Sequence, residues 1–371
     1  MVKILIAGDL CPRNRCQDII EQSLFSDKFD CVKDTITKAD YSLVNLECPI
    51  ITNGTPIKKQ GSNLKSSPAI VKFINYLGFK GVTMANNHIR DYGGDGVIET
   101  MRTLKHNHID IVGVGKNINE AKTILYKTIN QKTVAFINVC EYEFSIANNN
   151  EAGANHINPI DNFYDIKTAK ENADYVIVII HGGHEHYNLP SPRMQDTYRF
   201  FVDAGADAVI NHHQHCYSGY EFYKDKPIVY GLGNFYFDHT EERDNKWNEG
   251  YMLLLDLADT IGISLIPYVQ CNDKPLIELI KGDKYKVFEK QISQLNEIIQ
   301  DRIELESRFD KFCKTKRRLY MSVLEPYPSI YLKFLFRKSV LPSLLRGKCY
   351  RFVKNFVMCE SHLDVIKNLL K

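Results

Sequence analysis

Short apolar runs alternate, over most of the chain, with segments in which apolar residues recur at helical spacing. The runs predict strands at 2–7, 41–46, 81–84, 109–114, 132–139, 175–180, 207–210, 226–230 and 251–257. The helical spacing predicts helices at 70–77, 96–105, 165–173 and 194–204, the first of them stopped by Gly78. Strands that alternate with helices indicate a layered α/β domain, and antiparallel strands are expected near 220–257.

The pattern changes near residue 275. Residues 287–316 combine helical spacing with many charges, and from Tyr320 onward aromatic, apolar and basic residues are mixed. We therefore predict an α/β domain over 1–275 and a mostly helical, basic extension over 276–371.

Composition and charge are those of a globular protein with two unlike regions. Of the 371 residues, 44% are hydrophobic and 25% are charged, which argues against disorder and against a membrane-spanning protein. The net charge of +2 conceals an asymmetry, because residues 311–371 carry fourteen Lys/Arg against three Asp/Glu and the remainder carries 33 against 42. This contrast predicts different partners for the two regions.

The short apolar run at the N-terminus and the spacing of the cysteines favour a cytoplasmic location. The apolar run at the N-terminus breaks at Gly8-Asp9, too soon for a signal-peptide core or a membrane span. No run of about 18 apolar residues occurs, and the ten cysteines form no CxxC pair. We expect a cytoplasmic protein with reduced thiols.

Residue types that bind metals follow the predicted strands. Six of the twelve histidines lie between His181 and His215, in one cluster after each of two strands. The polar residues at the other strand ends are Asp9, Asn45, Glu47, Asn87 and His88. Singly, each has a structural alternative as a cap, a turn former, a core histidine or a solvated carboxylate. Together, at the carboxyl ends of strands, they predict one shared site.

The mixture of side chains indicates the kind of metal. Carboxylate, amide and imidazole ligands suit Mn, Fe or Zn, and two ions about 3.5–4 Å apart need a bridging carboxylate and several separate ligands. In extended backbone, His213 and His215 at positions i and i+2 point to the same side, so both are expected to reach the site. His212 is then expected to point the other way or to act behind the ligands.

A series of motifs occurs in order along roughly 2–260. The motifs are Gly8-Asp9, Asn45-Leu46-Glu47, Ala85-Asn86-Asn87-His88 with Asp91-Tyr92-Gly93, His181-Gly182-Gly183 with Glu185, Gly205-Ala206-Asp207-Ala208-Val209-Ile210 running into His212-His213-Gln214-His215, and Tyr230-Gly231-Leu232-Gly233-Asn234-Phe235 with Asp238. In this order they resemble the CapA family of capsule and poly-gamma-glutamate biosynthesis proteins, within the calcineurin-like metallophosphatase superfamily. The resemblance does not extend to the C-terminal hundred residues or so.

The resemblance implies a four-layer α-β-β-α sandwich, as in metallophosphatases, with a centre for two divalent metal ions. The implied metal ligands are Asp9, Glu47, Asn87, His181, His213 and His215. Asp9 and His215 would bind the first ion, Glu47 would bridge the two ions, and the remaining three residues would complete the set around the second ion.

The resemblance also implies catalytic residues. His88 would protonate the leaving group, Asp91 is expected to orient His88, and Glu185 is assigned to the same catalytic set. Further candidates for lining or ordering the pocket are Asn45, which is expected to hold Glu47, Asn86, Asn234 and Asp238. Asn86 is expected to orient His88 together with Asp91, and Asp91 and each of these four residues have an alternative as a turn former.

Four positions depart from the family or superfamily pattern. Cys11 stands where the first superfamily motif, Asp-x-His, has its histidine, although the CapA family commonly lacks that histidine. Glu47 is one methylene longer than the usual bridging aspartate. Asn211 and Gln214 replace a glycine and a proline of the Gly-His-His-Pro-His segment.

Two functions of different classes are consistent with these motifs. The first is a metal-dependent hydrolase that acts on a phosphoester or on an amide bond of a surface polymer. The second is a non-catalytic accessory protein of polymer assembly or export with a vestigial metal site. Asn87-His88 and the His213/His215 pair favour the first, whereas the unusual first motif and the basic tail leave the second open.

The basic C-terminal region predicts either a solvated helical face or a partner of negative charge. Its Lys/Arg residues are interleaved with apolar ones such as Phe334, Phe336 and Leu341. Helices that pack on the main domain with a solvated basic face are one interpretation, and attachment to an anionic membrane surface is the other. Nucleic-acid binding is not expected, because no reader motif occurs and the remainder is acidic.

Overall fold

The structure is a computed structural model that describes residues 1–26, 28–59 and 61–358, with the backbone alone for 354–358. The chain forms two compact units, Met1–Leu305 and Glu306–Lys371, and residues 359–371 of the second lie outside the described residues. The last part of the predicted extension, 359–371, therefore lies outside the described residues.

Sixteen strands run through the described residues. In chain order, β1 to β16, they are Val2–Leu10, Tyr41–Leu46, Gly81–Thr83, Asp110–Val112, Val114–Gly115, Leu125–Ile129, Lys132–Cys140, Gly153–Ala154, Tyr175–His181, Ala208–His212, Tyr220–Tyr223, Lys226–Val229, Asn234–Tyr236, Glu249–Leu257, Gly262–Gln270 and Ile277–Leu279.

Eleven helices accompany the strands in the same described part. In chain order, α1 to α11, they are Arg15–Glu21, Asp30–Ile36, Ile70–Leu77, Gly93–His106, Ile118–Ala121, Pro159–Asn172, Pro192–Ala204, Asp283–Gln300, Arg302–Leu324, Ile330–Arg337 and Gly347–Met358.

The first unit contains two large sheets. The first sheet has the order β16-β15-β14-β1-β2-β3-β4, and β13 also pairs with β1. The second sheet has the order β11-β12-β10-β9-β7-β6. In the first, β1, β2, β3 and β4 are parallel, and in the second β7, β9, β10 and β12 are parallel. The carboxyl ends of the central strands therefore share one edge of each sheet.

Alternating side chains of β1 show how the layers stack. Ile4 and Ile6 belong to the core that the first sheet shares with the second, whereas Leu5 and Ala7 belong to the core under helices α1 to α4. Successive strand residues point to opposite faces, so the first sheet is covered on both sides.

The second sheet is covered in the same way. Its central strands are buried along almost their whole length, and its outer face packs on α6 and α7 through residues such as Ile166 and Phe201. Strands buried on both faces read as continuous apolar runs, which is why 175–180 and 207–210 could be recognised. The predicted four-layer α-β-β-α sandwich is confirmed.

The two compact units meet in the sequence at 305/306, whereas the residue pattern predicts a domain boundary at 275/276. Helix α8 packs its buried residues Phe288, Ile292 and Ile299 into the core of the first unit. The boundary at 275/276 stays a prediction, because compactness does not establish which segments fold independently. The described residues beyond 282 are mainly helical.

A helix that crosses a bilayer needs about 20 consecutive, mostly apolar residues. Among the described residues, none of the helices is both long enough and apolar enough to span a bilayer.

Candidate metal centre

The candidate site lies where strand ends of the two sheets meet. Asp9 lies near the end of β1, and Glu47 directly follows β2. Asn87 lies in the loop after β3, and His181 ends β9 of the second sheet. His213 follows β10 directly. Each sheet thus contributes only part of the set of polar side chains.

A close backbone approach fixes the position of Asp9. A Cβ atom on Gly8 would lie 1.9 Å from the carbonyl oxygen of Gly233, so only glycine fits here. The amide of Asp9 donates to the same carbonyl oxygen at 3.2 Å. Strand β1 is thereby held against the segment that leads into β13.

Two groups of metal-ligand type share Glu47. One consists of Glu47, His181 and His213, and the other of Asp9, Glu47 and His215. Within each group the donor atoms all lie within 4.8 Å of one another, and all five residues are buried. Two adjacent groups with a common carboxylate are the arrangement that a dinuclear centre requires.

The first group is centred on the Nε2 atom of His181. Nδ1 of His213 lies 3.0 Å from it, Oδ1 of Asn87 lies 3.1 Å from it, and Oε1 of Glu47 lies 3.3 Å from it. Two imidazole nitrogens, an amide oxygen and a carboxylate oxygen therefore converge on one point. Burial, and next the charge of His215, lowers the pKa of His213 to about 4, so this ring is neutral and able to bind a metal near neutral pH.

The second group surrounds Asp9. Nδ1 of His215 lies 3.7 Å from Oδ2 of Asp9, and Nε2 of His215 lies 3.7 Å from Oε1 of Glu47. Burial raises the pKa of Asp9, but the hydrogen bond and charge of His212 and the charges of His181 and His215 outweigh it and hold the pKa well below its usual range. Asp9 is therefore an ionised carboxylate within the site.

Glu47 provides the test of whether cations fit here. Both of its carboxylate oxygens are buried, and neither makes a hydrogen bond to any described residue. Burial, followed by the charges of Asp9 and Glu185, raises the pKa of Glu47 well above its usual range. An unpaired buried carboxylate is costly, whereas cations on either side would satisfy both oxygens. The residues present thus fit a pair of divalent ions.

The backbone at the histidine cluster differs from the predicted extended form. Strand β10 ends at His212, and the φ angles of His213 and His215 are 92° and 55°. The two imidazoles reach the site through a turn with left-handed residues rather than through strand alternation. Nδ1 of His212 lies 3.4 Å from Oδ1 of Asp9, so His212 also faces the site instead of pointing away from it.

Asn45 contacts Asp9 and His181 rather than Glu47, the partner predicted for it. Its Nδ2 atom donates to Oδ1 of Asp9 at 2.7 Å and lies 3.2 Å from Nδ1 of His181. Its Oδ1 atom accepts a hydrogen bond from Thr83 at 3.3 Å. Asn45 therefore orients one residue of each sheet, and not Glu47 as the sequence suggested.

His88 lies beside the candidate ligands and contacts Asp91. Nδ1 of His88 and Oδ2 of Asp91 are 2.7 Å apart, and Oδ1 of Asn86 accepts a hydrogen bond from the His88 amide at 3.1 Å. Burial lowers the pKa of His88, the hydrogen bond and charge of Asp91 oppose that effect, and the charge of Lys59 reinforces it. The ring is therefore held in one orientation by neighbours that influence its charge in opposite directions.

Lys59 is a neighbour of this pair that the sequence did not reveal. Its ammonium forms an ion pair with Oδ1 of Asp91 and lies 3.1 Å from Nδ1 of His88. The side chains of Lys59 and Asp91 are 2% and 0% exposed. The backbone amide of Leu64 also donates to Asp91, at 2.6 Å. A loop with no local motif thus covers the catalytic candidates.

Glu185 lies at the edge of the site rather than in either group. The residue as a whole is exposed, although its carboxyl group is partly desolvated. Burial of its carboxyl raises its pKa, but the charges of His215, His213, His186 and His88 outweigh that effect and lower it. These long-range effects identify Glu185 as a neighbour of the histidine cluster, and its catalytic role stays a prediction.

Three other predicted residues have separate environments. Burial, and then Cys48 and Glu47, raises the pKa of the Cys11 thiol well above its usual value, which favours the thiol over a metal-binding thiolate. Asn234 contacts His215, with 2.9 Å between Oδ1 and Nδ1. Asp238 is instead bound by Arg15 at 2.9 Å, outside both groups.

The fold and the site define a class: an α/β sandwich with a candidate dinuclear metal centre between its two sheets. The family model described as "Bacterial capsule synthesis protein PGA_cap" matches residues 3–239. The chain therefore belongs to this bacterial capsule synthesis protein family, as the motifs predicted.

Individual relatives show the extent of the similarity. The chain is 32% identical, over 242 residues, to "Capsule biosynthesis protein CapA" of Bacillus anthracis, a match that covers 63% of this chain and 59% of that protein. It is 26% identical, over 216 residues, to the "Probable polyglutamine synthesis accessory protein" of Mycobacterium tuberculosis, covering 55% and 57% of the two chains. The chain thus spans less than two thirds of the length of these relatives.

Among solved structures, a 5'-nucleotidase precursor from Thermus thermophilus matches 79% of this chain and 58% of its own, at 10% identity and a TM-score of 0.44.

Proposed function

We propose that this protein is a metal-dependent hydrolase of capsule, poly-gamma-glutamate or other surface-polymer biosynthesis, acting on a phosphoester or an amide bond. The observation that carries the proposal is the buried, unpaired carboxylate of Glu47 between two groups of ligands. A hydrogen-bonded structural carboxylate would leave no such orphan oxygens, and the contacts of Oε1 with His181 and His215 are ion pairs only if those rings are protonated, whereas a bridging ligand needs both oxygens free of hydrogen bonds.

Two divalent ions, of the Mn, Fe or Zn type, would be held by Asp9, Glu47, Asn87, His181, His213 and His215. Ions in these positions would activate water and stabilise the negative charge that develops on the substrate. Family membership supplies the polymer context of the proposal, and the donor set supplies the chemistry.

The remaining residues of the site orient the reacting groups. Nδ1 of His88 is engaged by Asp91, so Nε2 is the ring atom that would deliver a proton, from the doubly protonated imidazolium, to a leaving oxygen or nitrogen. Asn45 keeps Asp9 and His181 in register across the two sheets. Lys59 neutralises Asp91, so that His88 is not held permanently charged.

The proposal is tested on purified full-length protein that has been stripped of metal and reloaded with Mn²⁺. Metal content is measured by mass spectrometry, and hydrolysis is measured on a generic phosphodiester and on poly-gamma-glutamate. The one tryptophan, Trp247, has its ring centroid 4.8 Å from that of His215, so its fluorescence should be quenched as Mn²⁺ binds. Glu47→Gln should bind Mn²⁺ more weakly and lose hydrolysis, and Glu278→Gln, at an exposed position of strand β16, should bind and hydrolyse like the wild type.

A non-catalytic accessory role is the second candidate. Two observations favour it: the neutral thiol of Cys11 where the superfamily has a histidine, and the accessory-protein name of the mycobacterial relative. Under this alternative the reloaded protein binds metal, and Trp247 reports it, but neither substrate is hydrolysed above the rate of Glu47→Gln.

A further inference from the structure

Helix α10 in the second unit has two unlike faces. Phe336 is 3% exposed and forms the inner side of the helix. Ile330, Tyr331, Phe334 and Leu335 are exposed, and these positions i, i+1, i+4 and i+5 lie together on the other side of a helix. The helix therefore displays a continuous apolar stripe to solvent.

The last turns of α9 repeat the pattern. Leu319, Tyr320, Val323 and Leu324 are exposed at the same relative spacing, whereas Ser322 is buried. Singly exposed apolar residues are normal on protein surfaces, but contiguous stripes indicate a surface that binds something. Two helices of this unit thus present the same kind of face.

Among the described residues, the contacts that hold α9 and α10 together lie on the sides opposite these stripes. The guanidinium of Arg318 stacks on the ring of Phe336, 4.8 Å from its centroid, and also donates to the carbonyl oxygen of Phe336 at 3.2 Å. Arg337 donates to the hydroxyl of Ser322 at 2.8 Å. The inner side of α10 is therefore held by its own contacts, and the outer side remains available.

The charge of the same segment has one sign. Residues 311–358 contain twelve Lys/Arg and a single acidic residue, Glu325. Glu325 is buried, where its carboxylate accepts a hydrogen bond from the amide of Leu344 at 2.8 Å and another from the hydroxyl of Ser343. The surface around the apolar stripes is consequently cationic.

We propose that the outer faces of α9 and α10 dock on an anionic lipid bilayer. An interfacial surface of this kind inserts apolar and aromatic side chains between lipid headgroups while lysine and arginine contact the anionic leaflet. A second copy of the chain would bring like charges together. A soluble polyanion would engage the charges and leave the apolar stripes in water. The bilayer matches both features.

The test uses the full-length protein and vesicles of phosphatidylglycerol and phosphatidylcholine in equal parts, with phosphatidylcholine vesicles for comparison. The variant Tyr331→Ser/Phe334→Ser removes two exposed aromatic side chains of the stripe. Its matched control, Ile160→Ser/Tyr164→Ser, removes two equally exposed side chains from α6 of the first unit. Circular dichroism verifies that both variants are folded.

We expect the wild type and the control to co-sediment with the anionic vesicles. The stripe variant should bind about tenfold more weakly, since each inserted side chain loses part of its transfer free energy. Three results would overturn the proposal: no binding of the wild type, equal binding by the stripe variant, or equally strong binding to dextran sulfate, a soluble polyanion with neither phosphoester nor amide bonds. The first unit keeps its metal-site residues in all variants, so the outcome is independent of hydrolysis.

Discussion

The imidazole of His88 lies against the carboxylate of Asp91, with 2.7 Å between Nδ1 and Oδ2. An ionised carboxylate only accepts hydrogen bonds, so Asp91 accepts from Nδ1 whenever that nitrogen carries a proton, and Lys59, 3.1 Å away, lies beside the same nitrogen. The opposite nitrogen, Nε2, is therefore the one that can act on a substrate. The relationship supports the proposed role of His88 in proton transfer rather than in metal binding.

The first prediction separates His88 from its neighbour Asn87. His88→Ala should lower turnover by about 10²–10⁴-fold while keeping the metal, because general acid catalysis contributes on this order. Asn87→Ala should instead lower metal content, since its amide oxygen lies beside His181. Metal per chain and the rate on a generic phosphodiester are measured for both. Loss of metal from His88→Ala, with turnover per remaining ion unchanged, would show that the roles are misassigned.

The second prediction concerns the pH dependence of metal binding. Burial, and then the charges of Asp9 and Glu185, raises the pKa of Glu47 well above its usual range, so below that raised pKa the metal-free protein holds a proton on Glu47. Metal binding must release that proton, and affinity should therefore increase with pH until the raised pKa is passed. The pKa of His213, about 4, means that this ring releases none.

Calorimetric titration with Mn²⁺ in two buffers of different ionisation enthalpy measures the released protons. Glu47→Gln should abolish the release that is attributable to this group, and Glu278→Gln should preserve it. Equal proton release by wild type and Glu47→Gln would contradict the assignment.

The third prediction concerns the buried ion pair of Lys59. Lys59→Met should lower the free energy of unfolding by about 3 kcal/mol, because it leaves the buried Asp91 without its counter-charge. Lys58→Met, at an exposed neighbouring position, should change it by less than about 0.5 kcal/mol. Urea unfolding of the metal-free proteins gives both values. Similar stabilities of the two variants would mean that the Lys59–Asp91 contact is not maintained in solution.

The fourth prediction concerns the close approach at Gly8. Gly8→Ala should lower the free energy of unfolding by about 3 kcal/mol or more, because its Cβ would overlap the carbonyl oxygen of Gly233. Metal content should fall with it, since Asp9 is the next residue. Gly262→Ala is the control, because its Cβ would meet Asp256 at an ordinary 3.6 Å. Thermal unfolding and metal analysis measure both effects. Equal melting temperatures and equal metal contents of the two alanine variants would show that the close approach at Gly8 is not maintained.

Much of the fold could be predicted from residue patterns, for reasons that particular elements make clear. Strand β2 is buried along its whole length and reads as an apolar run, and α3 ends at Gly78 in the left-handed conformation. Strand β15 was missed because Pro267 interrupts it. Helices α1 and α2 were missed because both are short and lack side-chain caps.

Site residues could be predicted from the sequence when they lie at the end of a strand, because the strand itself then fixes their location in the fold. Asp9 and Glu47 are of this kind, since parallel strand ends converge whatever the surrounding loops do. Lys59 is not, because it reaches Asp91 through a loop whose path depends on tertiary hydrogen bonds such as that of Leu64. The left-handed φ of His213 is likewise a product of tertiary packing and has no signal in a non-glycine residue.

Because the candidate ligands are divided between the two sheets, metal uptake at this site would report that folding is complete. Asn138 of the second sheet accepts hydrogen bonds from the amides of Met84 and Ala85, just before Asn87, and so ties the two sheets together beside the site. An intermediate with both sheets formed but not docked would hold two half-sites of low affinity. Ions would therefore bind only to fully folded molecules, and this binding would stabilise the folded state against unfolding.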